Sequence, residues 1–171
     1  MTTATFEKEI LPLKHPIFRF ALFMLKNNDD AQDVTQEVLI KIWEKREELE
    51  QVRNVRAWAI TITRNRCLDL IKSRKEGVFS LDENIDAATG STPYELLQFS
   101  DETDSIKSLL EKLPLLQKEV FYLRHFEGDT YKEIGESLNL DENKVKVYLH
   151  RARTFIKRSL EEKHDYGLKT G

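Results

Sequence analysis

The sequence predicts an all-α protein. Two small helical domains, residues 1–75 and 105–163, are joined by an acidic flexible linker over 76–104 and followed by a tail over 164–171. Apolar residues recur at helical spacing through both ends of the chain. Turn and capping residues punctuate those stretches at Asn27–Asp30, Asn54, Pro114, Gly128 and Asn139. Charge is segregated: residues 1–75 hold 14 basic and 11 acidic side chains, 76–104 none and 8, and 105–171 13 and 11. The net charge of −3 therefore hides two mildly basic ends. With 171 residues, 40% of them hydrophobic and 33% charged, the chain has room for one medium domain or two small ones.

Residues 1–26 read as one helix, or two with a proline joint. Pro16 suits the first turn of a helix carrying Ile17, Phe20, Ala21, Met24 and Leu25, with Phe18 and Phe23 widening the core surface. After the turn at Asn27–Asp30, a helix is expected from Asp30 to Leu49, burying Ala31, Val34, Val38 and Ile42. Its other side presents Asp33, Gln36, Glu37, Lys41 and Glu44, with Leu39, Ile40 and Trp43 beside them. A tryptophan among carboxylates suits a protein-docking surface, and equally suits packing of Trp43 on the first helix.

Residues Glu44–Val52 read as fraying helix and loop. Asn54 can cap a helix from Val55 to Lys75 with Trp58, Ala59, Ile62, Leu68, Leu70 and Ile71 on its apolar side. Seven basic residues against one acid fall between Arg53 and Lys75. Arginines beside an aromatic ring suit unpaired or distorted DNA, where stacking on a ring is worth ~1–3 kcal/mol per base. Trp58 itself reads as core.

The linker carries Gly77, Gly90 and Pro93 and its eight acids, with a short helix possible from Pro93 through Leu96, Leu97 and Phe99. Beyond tethering, its charge suits lying in basic channels of a partner or shielding the chain's own basic faces. Ile106, Leu109, Leu110 and Leu113 mark the next helix. Pro114 starts another, through Val120, Leu123 and Phe126 to a stop at Gly128.

Thr130 followed by Glu133 has the form of a capping box, and Ile134 and Leu138 give that helix one stripe. Asn139 suits a left-handed turn. Asp141 caps the last helix, whose apolar stripe is Val145, Leu149, Ala152 and Ile156. Six Lys or Arg and no acid lie between Asn143 and Arg158, and the chain after Glu162 reads as frayed. Helix, tight turn and basic helix make the helix-turn-helix pattern, with the second helix suited to the DNA major groove.

A lone Cys67 excludes an internal disulfide and a Cys-cluster zinc site, and reads as a buried thiol. No cofactor or metal is expected. There is no nucleophile–base set, phosphate loop or metal spacing, so no catalytic residue is assigned. Of the four histidines only His150 invites a role, in DNA contact. No stretch approaches the ~20 apolar residues of a membrane span and no signal peptide is evident, so a cytoplasmic protein without membrane insertion is expected.

The segments DDAQDVTQEVLIKIW, VRAWAITITRNRCLDLIKSR, LPLLQKEVFYLRHFEGDTYKEIGESLNL and VKVYLHRAR together resemble an extracytoplasmic-function sigma factor, over about residues 10–75 and 105–160. The resemblance implies a transcription initiation subunit with regions 2 and 4. Its partners would be core RNA polymerase (the β′ clamp helices and β flap), promoter DNA and an anti-sigma factor. Asp33, Gln36, Glu37, Leu39 and Trp43 would then dock on polymerase. Arg53, Asn54, Arg56, Thr61, Arg64 and Asn65 would read the melted −10 element, with Trp58 mainly structural. Lys144, Lys146, Val147, His150 and Arg151 would face the −35 duplex. Asn139 stands where the family commonly has Gly, and Gly135 where it usually has Ala, which suggests a looser helix. Val147 cannot hydrogen-bond a base but suits a thymine methyl. Two other readings are a dimeric helix-turn-helix regulator that needs no polymerase, and a helical adaptor whose basic faces are incidental.

Overall fold

The structure, a computed structural model, describes residues 1–78 and 101–169. The chain divides into two compact units, Met1–Leu97 and Gln98–Gly171. Eight α-helices and no strand occur among the described residues. Most of the expected linker, including the short helix expected from Pro93, lies outside them.

In the first unit the proline joint separates two helices. Helix α1 (Thr3–Glu9) is capped by Thr2, whose Oγ1 accepts from the Thr5 N–H at 3.2 Å. A 3-10 turn at Leu11–Leu13 contains Pro12 and leads into α2 (Lys14–Leu25), with Pro16 in its first turn. Helix α2 packs against both α3 (Asn28–Glu44) and α4 (Val55–Val78). It therefore buries Ile17, Phe20, Ala21, Leu22, Phe23 and Met24, almost all of its circumference.

Helix α3 starts where Asn27 Oδ1 accepts from the Asp30 N–H at 3.0 Å, and it buries the expected Ala31, Val34, Val38 and Ile42. It stops at Glu44 rather than near Leu49. Arg46 closes the end, its N–H and its Nη1 both donating to the Trp43 carbonyl, at 3.2 and 2.9 Å. Such donors satisfy carbonyls that a helix terminus leaves open. Leu49 then turns into the core, within a second 3-10 turn over Leu49–Gln51. The expected loop is thus pinned at its middle.

Helix α4 is capped as expected, Asn54 Oδ1 accepting from the Ala57 N–H at 3.0 Å. Its buried face differs from the expected one. Ala57, Ala59, Ile60, Thr63 and Cys67 are buried, whereas Trp58, Ile62, Leu68, Leu70 and Ile71 are only half-buried. Helices α2 and α3 approach α4 closely through small residues, and the Thr63 hydroxyl satisfies itself on the Ala59 carbonyl at 2.7 Å. Cys67 is buried, as read from the sequence, while Trp58 is not the core residue expected.

In the second unit, α5 (Asp101–Leu110) buries Leu110 and is followed by α6 (Leu115–His125), with Pro114 as its N-cap. Gly128 takes φ +73°, and the next N–H, of Asp129, donates back to the Leu123 carbonyl at 3.0 Å. Helix α7 (Tyr131–Leu138) opens on the full capping box: the Glu133 N–H donates to Thr130 Oγ1 at 3.1 Å and the Thr130 N–H to Glu133 Oε2 at 2.7 Å. Asn139 is left-handed, at φ 54° and ψ 52°. The turn then brings the Leu140 carbonyl so near Gly135 that a Cβ there would stand 2.5 Å from its oxygen. Gly135 thus marks a tight helix–turn contact, correcting the expectation of a looser helix.

Helix α8 (Glu142–Lys169) is capped by Asp141 Oδ1, which accepts from the Lys144 N–H at 2.8 Å. It buries Val145, Leu149, Ala152 and Ile156 against α5, α6 and α7. It does not fray after Glu162 but runs to Lys169. The strong helix formers Glu161, Glu162 and Lys163 carry it on, and no proline intervenes.

Candidate nucleic-acid interface

The buried residues of α8 follow one another at intervals of four, three and four and form one stripe. Val147, Arg151, Thr154 and Arg158 stand on the opposite side, flanked by Lys146, His150 and Lys157. Lys144, Lys146, Val147, His150 and Arg151 are all exposed, so the structure brings the five residues expected at duplex DNA onto the open side of one helix. Val147 stands among them with 45% of its surface exposed, unusual for an apolar side chain on so charged a helix. Arg153, on the flank, donates through Nε to His125 Nε2 at 3.0 Å. His125 also lies against the Phe121 ring, and its pKa is lowered by burial and then by the charges of Arg153 and Arg124. A neutral imidazole is what accepts from a guanidinium.

In the first unit the six residues expected at melted DNA do not form one face. Arg53 is exposed just before α4. Thr61 and Asn65 share a stripe with Trp58, Ile62 and Asp69 on the outer side. Arg56 and Arg64 stand four residues either side of the fully buried Ile60 and are half-buried. The Asn54 side chain holds the helix start, and the Thr61 hydroxyl donates to the Ala57 carbonyl at 3.0 Å.

On α3, Asp33, Gln36 and Glu37 are exposed and Leu39 is half-buried. Ile40, at 58% exposure, continues the stripe of Asp33, Gln36 and Glu37 by one turn. It stands in the mixed face read from the sequence but not among the residues singled out there. Glu37 is held by Arg66 of α4, and this hydrogen bond raises the Arg66 pKa. A second pair, Asp30 with Arg74 at 2.7 Å, ties the same two helices nearer the start of α3. Between them a shallow groove of about 150 Å³ is lined by Glu37, Lys41, Ile62, Asn65, Arg66 and Asp69.

Trp43 meets two neighbours. Phe6 of α1 approaches its ring edge-on, centroids 4.8 Å apart at 84°, and the Arg46 guanidinium lies 4.3 Å from its centroid. Trp43 therefore packs on the first helix and still lies half-exposed beside the α3 face. The Arg46, Arg66 and His125 contacts were not expected from the sequence. Arg46 is three residues from Trp43, a spacing at which helical side chains meet, so that one contact had a local signal.

A chain of helical units with a basic reading helix, free of acids from Asn143 to Arg158, in a helix-turn-helix defines a DNA-binding protein. The family comparisons specify which kind. The Sigma-70 region 2 family matches residues 11–76, and the Sigma-70 region 4 family matches residues 103–156. Similar proteins include the ECF RNA polymerase sigma factor SigX of Bacillus subtilis, 24% identical, with 85% of this chain and 78% of SigX covered. The RNA polymerase sigma factor SigV of the same organism is 29% identical, with 81% of each chain covered. SigL of Mycobacterium tuberculosis is 28% identical over 85% of this chain and 83% of its own. The fold matches the sigma factor RpoE of Bartonella quintana, in complex with the anti-sigma factor NepR, at a TM-score of 0.70 and 24% identity, with 92% of this chain and 97% of that one covered. It matches CnrH in complex with the cytosolic domain of CnrY at 0.70 and 20% identity, with 94% and 90% covered. The chain belongs to the extracytoplasmic-function sigma factors.

Proposed function

We propose that this protein binds core RNA polymerase and directs it to a set of promoters, reading the −35 element as duplex with α8 and the −10 element as parted strands with the start of α4. The observation that carries this is the order of the two matched regions on one chain, the second ending in a reading helix with no acid from Asn143 to Arg158. Lys144, Lys146, Val147, His150 and Arg151 are the −35 contacts: cations take phosphates, and Val147 takes an apolar base edge. Arg53, Asn54, Arg56, Thr61, Arg64 and Asn65 are assigned to the −10 element. Thr61 and Asn65, on the outer stripe, are best placed for bases. Trapping an unstacked base offsets an unpairing cost of a few kcal/mol.

Asp33, Gln36, Glu37, Leu39 and Trp43, joined by Ile40, form the polymerase-docking face. The domains are region 2 over 1–75 and region 4 over 105–163, with 76–104 as tether. Work on polymerase puts the protein in the cytoplasm, and no helix of the described residues is long and apolar enough to cross a membrane. The role needs no catalytic group in this chain, because the polymerase supplies the chemistry. An anti-sigma partner, as RpoE has in its complex with NepR, would hold it inactive by covering these faces. Run-off transcription with core polymerase on a promoter library tests the reading. Transcripts sharing one −35/−10 motif are expected, and their absence refutes it. A dimer that binds an operator without polymerase would leave the whole first unit without a task.

A further inference from the structure

We propose that helix α1 belongs to the promoter-opening machinery, with Phe6 and Arg46 as positioning residues that clamp Trp43 and so fix the loop between α3 and α4. The inference rests on that loop and the start of α4 being the −10 reader.

Helix α1 lies before residue 11, where the match to region 2 begins. It is nevertheless built into the unit: Ile10 is 2% exposed and Phe6 8%. Phe6 and Trp43 meet in a T-shaped contact and the Arg46 guanidinium lies near the ring, so the indole is held by an aromatic and a cation. Arg46 also donates through Nη1 to the Trp43 carbonyl, and this joins the clamp to the first residues of the loop. Leu49 anchors the loop's middle in the core, and Asn54 fixes its far end as the cap of α4. Of these three fixation points between Trp43 and α4, only the first depends on α1. Loosening it moves the loop and the Trp43 ring while leaving the outward stripe of Asp33, Gln36, Glu37 and Ile40, four of the six docking residues, where it was.

The test uses the full chain with core polymerase and a promoter selected by the run-off library. Phe6→Leu keeps an apolar side chain but loses the ring, Phe6→Tyr keeps the ring, and Arg46→Lys keeps charge but loses the planar group. Formation of heparin-resistant open complex and affinity for core polymerase are measured separately, below the melting temperature of each variant. Phe6→Leu and Arg46→Lys should each open the promoter about two- to tenfold less well, the range set by a single ring contact. Core affinity should fall less than opening does, because Trp43 is one of six residues in the docking face, and Phe6→Tyr should behave as the unsubstituted protein. A purely structural role for α1 would lower opening and core affinity to the same extent, which overturns the inference. So does normal opening by either Phe6→Leu or Arg46→Lys. If the unsubstituted chain opens no promoter at all, the promoter-reading function falls with it. If it opens one and Phe6→Leu does so equally, only this inference falls.

Discussion

Val147 gives a sharp test of how α8 meets duplex DNA. Its neighbours on the open side are Asn143, Thr154, a histidine and cations, and the phosphate contacts of the cations bind any sequence. An apolar side chain there has one thing to read, the methyl group that thymine presents in the major groove. Val147→Ala removes two carbons, worth ~0.8 kcal/mol each on full burial. The side chain is 45% exposed in the free protein, so about half of that is still to be gained on contact. The expected loss is ~0.7 kcal/mol, roughly a threefold drop in preference at one base pair. Selection from a promoter library with core polymerase and each protein gives that preference directly. One −35 position should lose its bias towards thymine, the others keeping theirs. The reasoning fails if the unsubstituted protein shows no thymine preference in the −35 element. It fails equally if the substitution leaves the motif unchanged or weakens every position alike.

Lys146→Ala should behave in the opposite manner, weakening all promoters evenly and lowering the slope of log affinity against log salt by ~0.9, as read by titration at several salt concentrations. Ile60→Ala should cost about 2–5 kcal/mol of stability in chemical denaturation, because Ile60 is fully buried, whereas Ile71→Ala, half-buried, should cost clearly less. Equal losses would mean that α4 does not pack as described. Thr130→Ala breaks the capping box and should cost ~1 kcal/mol, seen as a lower melting temperature of the second unit. For His125 the folded state depresses the pKa, so the unfolded chain takes up the proton first as pH falls. Stability from this group is complete above the unfolded value near 6.5 and is lost as pH falls from there through the lower folded value. Melting temperatures from pH 8 to 5 should therefore fall more for the unsubstituted protein than for His125→Gln.

Much of the second unit was legible because its signals are local. A capping box, an Asn that accepts the left-handed turn and an Asp cap each act within four residues, and a single apolar stripe fixed the phase of α8. The stop of α3 was misplaced because it depends on Leu49 entering a core made by other helices. The residues expected at melted DNA followed from the family resemblance. Their division into an outer stripe and a half-buried one depends on which side of α4 faces α2 and α3, and that is tertiary information. Gly135 was misread for a related reason: the close approach of the Leu140 carbonyl comes from the turn and is invisible in the helix's own spacing.

Helix α4 shows why a functional helix can defeat a pattern built on apolar spacing. An ordinary surface helix puts its large apolar residues inside and its charges outside. Here the close contacts with two helices are made by Ala57, Ala59, Thr63 and Cys67, small or weakly polar residues, with Ile60 as the one large apolar anchor. The rings and branched chains at Trp58, Ile62 and Leu68 are thereby left half-exposed, among Thr61, Asn65 and nearby arginines. That mixture contributes little to packing and is costly to leave wet. It suits a surface that must hold unpaired bases, which offer flat apolar faces on a charged backbone. The mis-phased stripe and the proposed −10 surface are consequently one feature. Replacing Thr61 and Asn65 by alanine should leave the fold intact while lowering binding of a single-stranded −10 oligonucleotide to the polymerase complex. A complex that still binds it at full strength would separate the two and leave the unusual face of α4 a matter of packing alone.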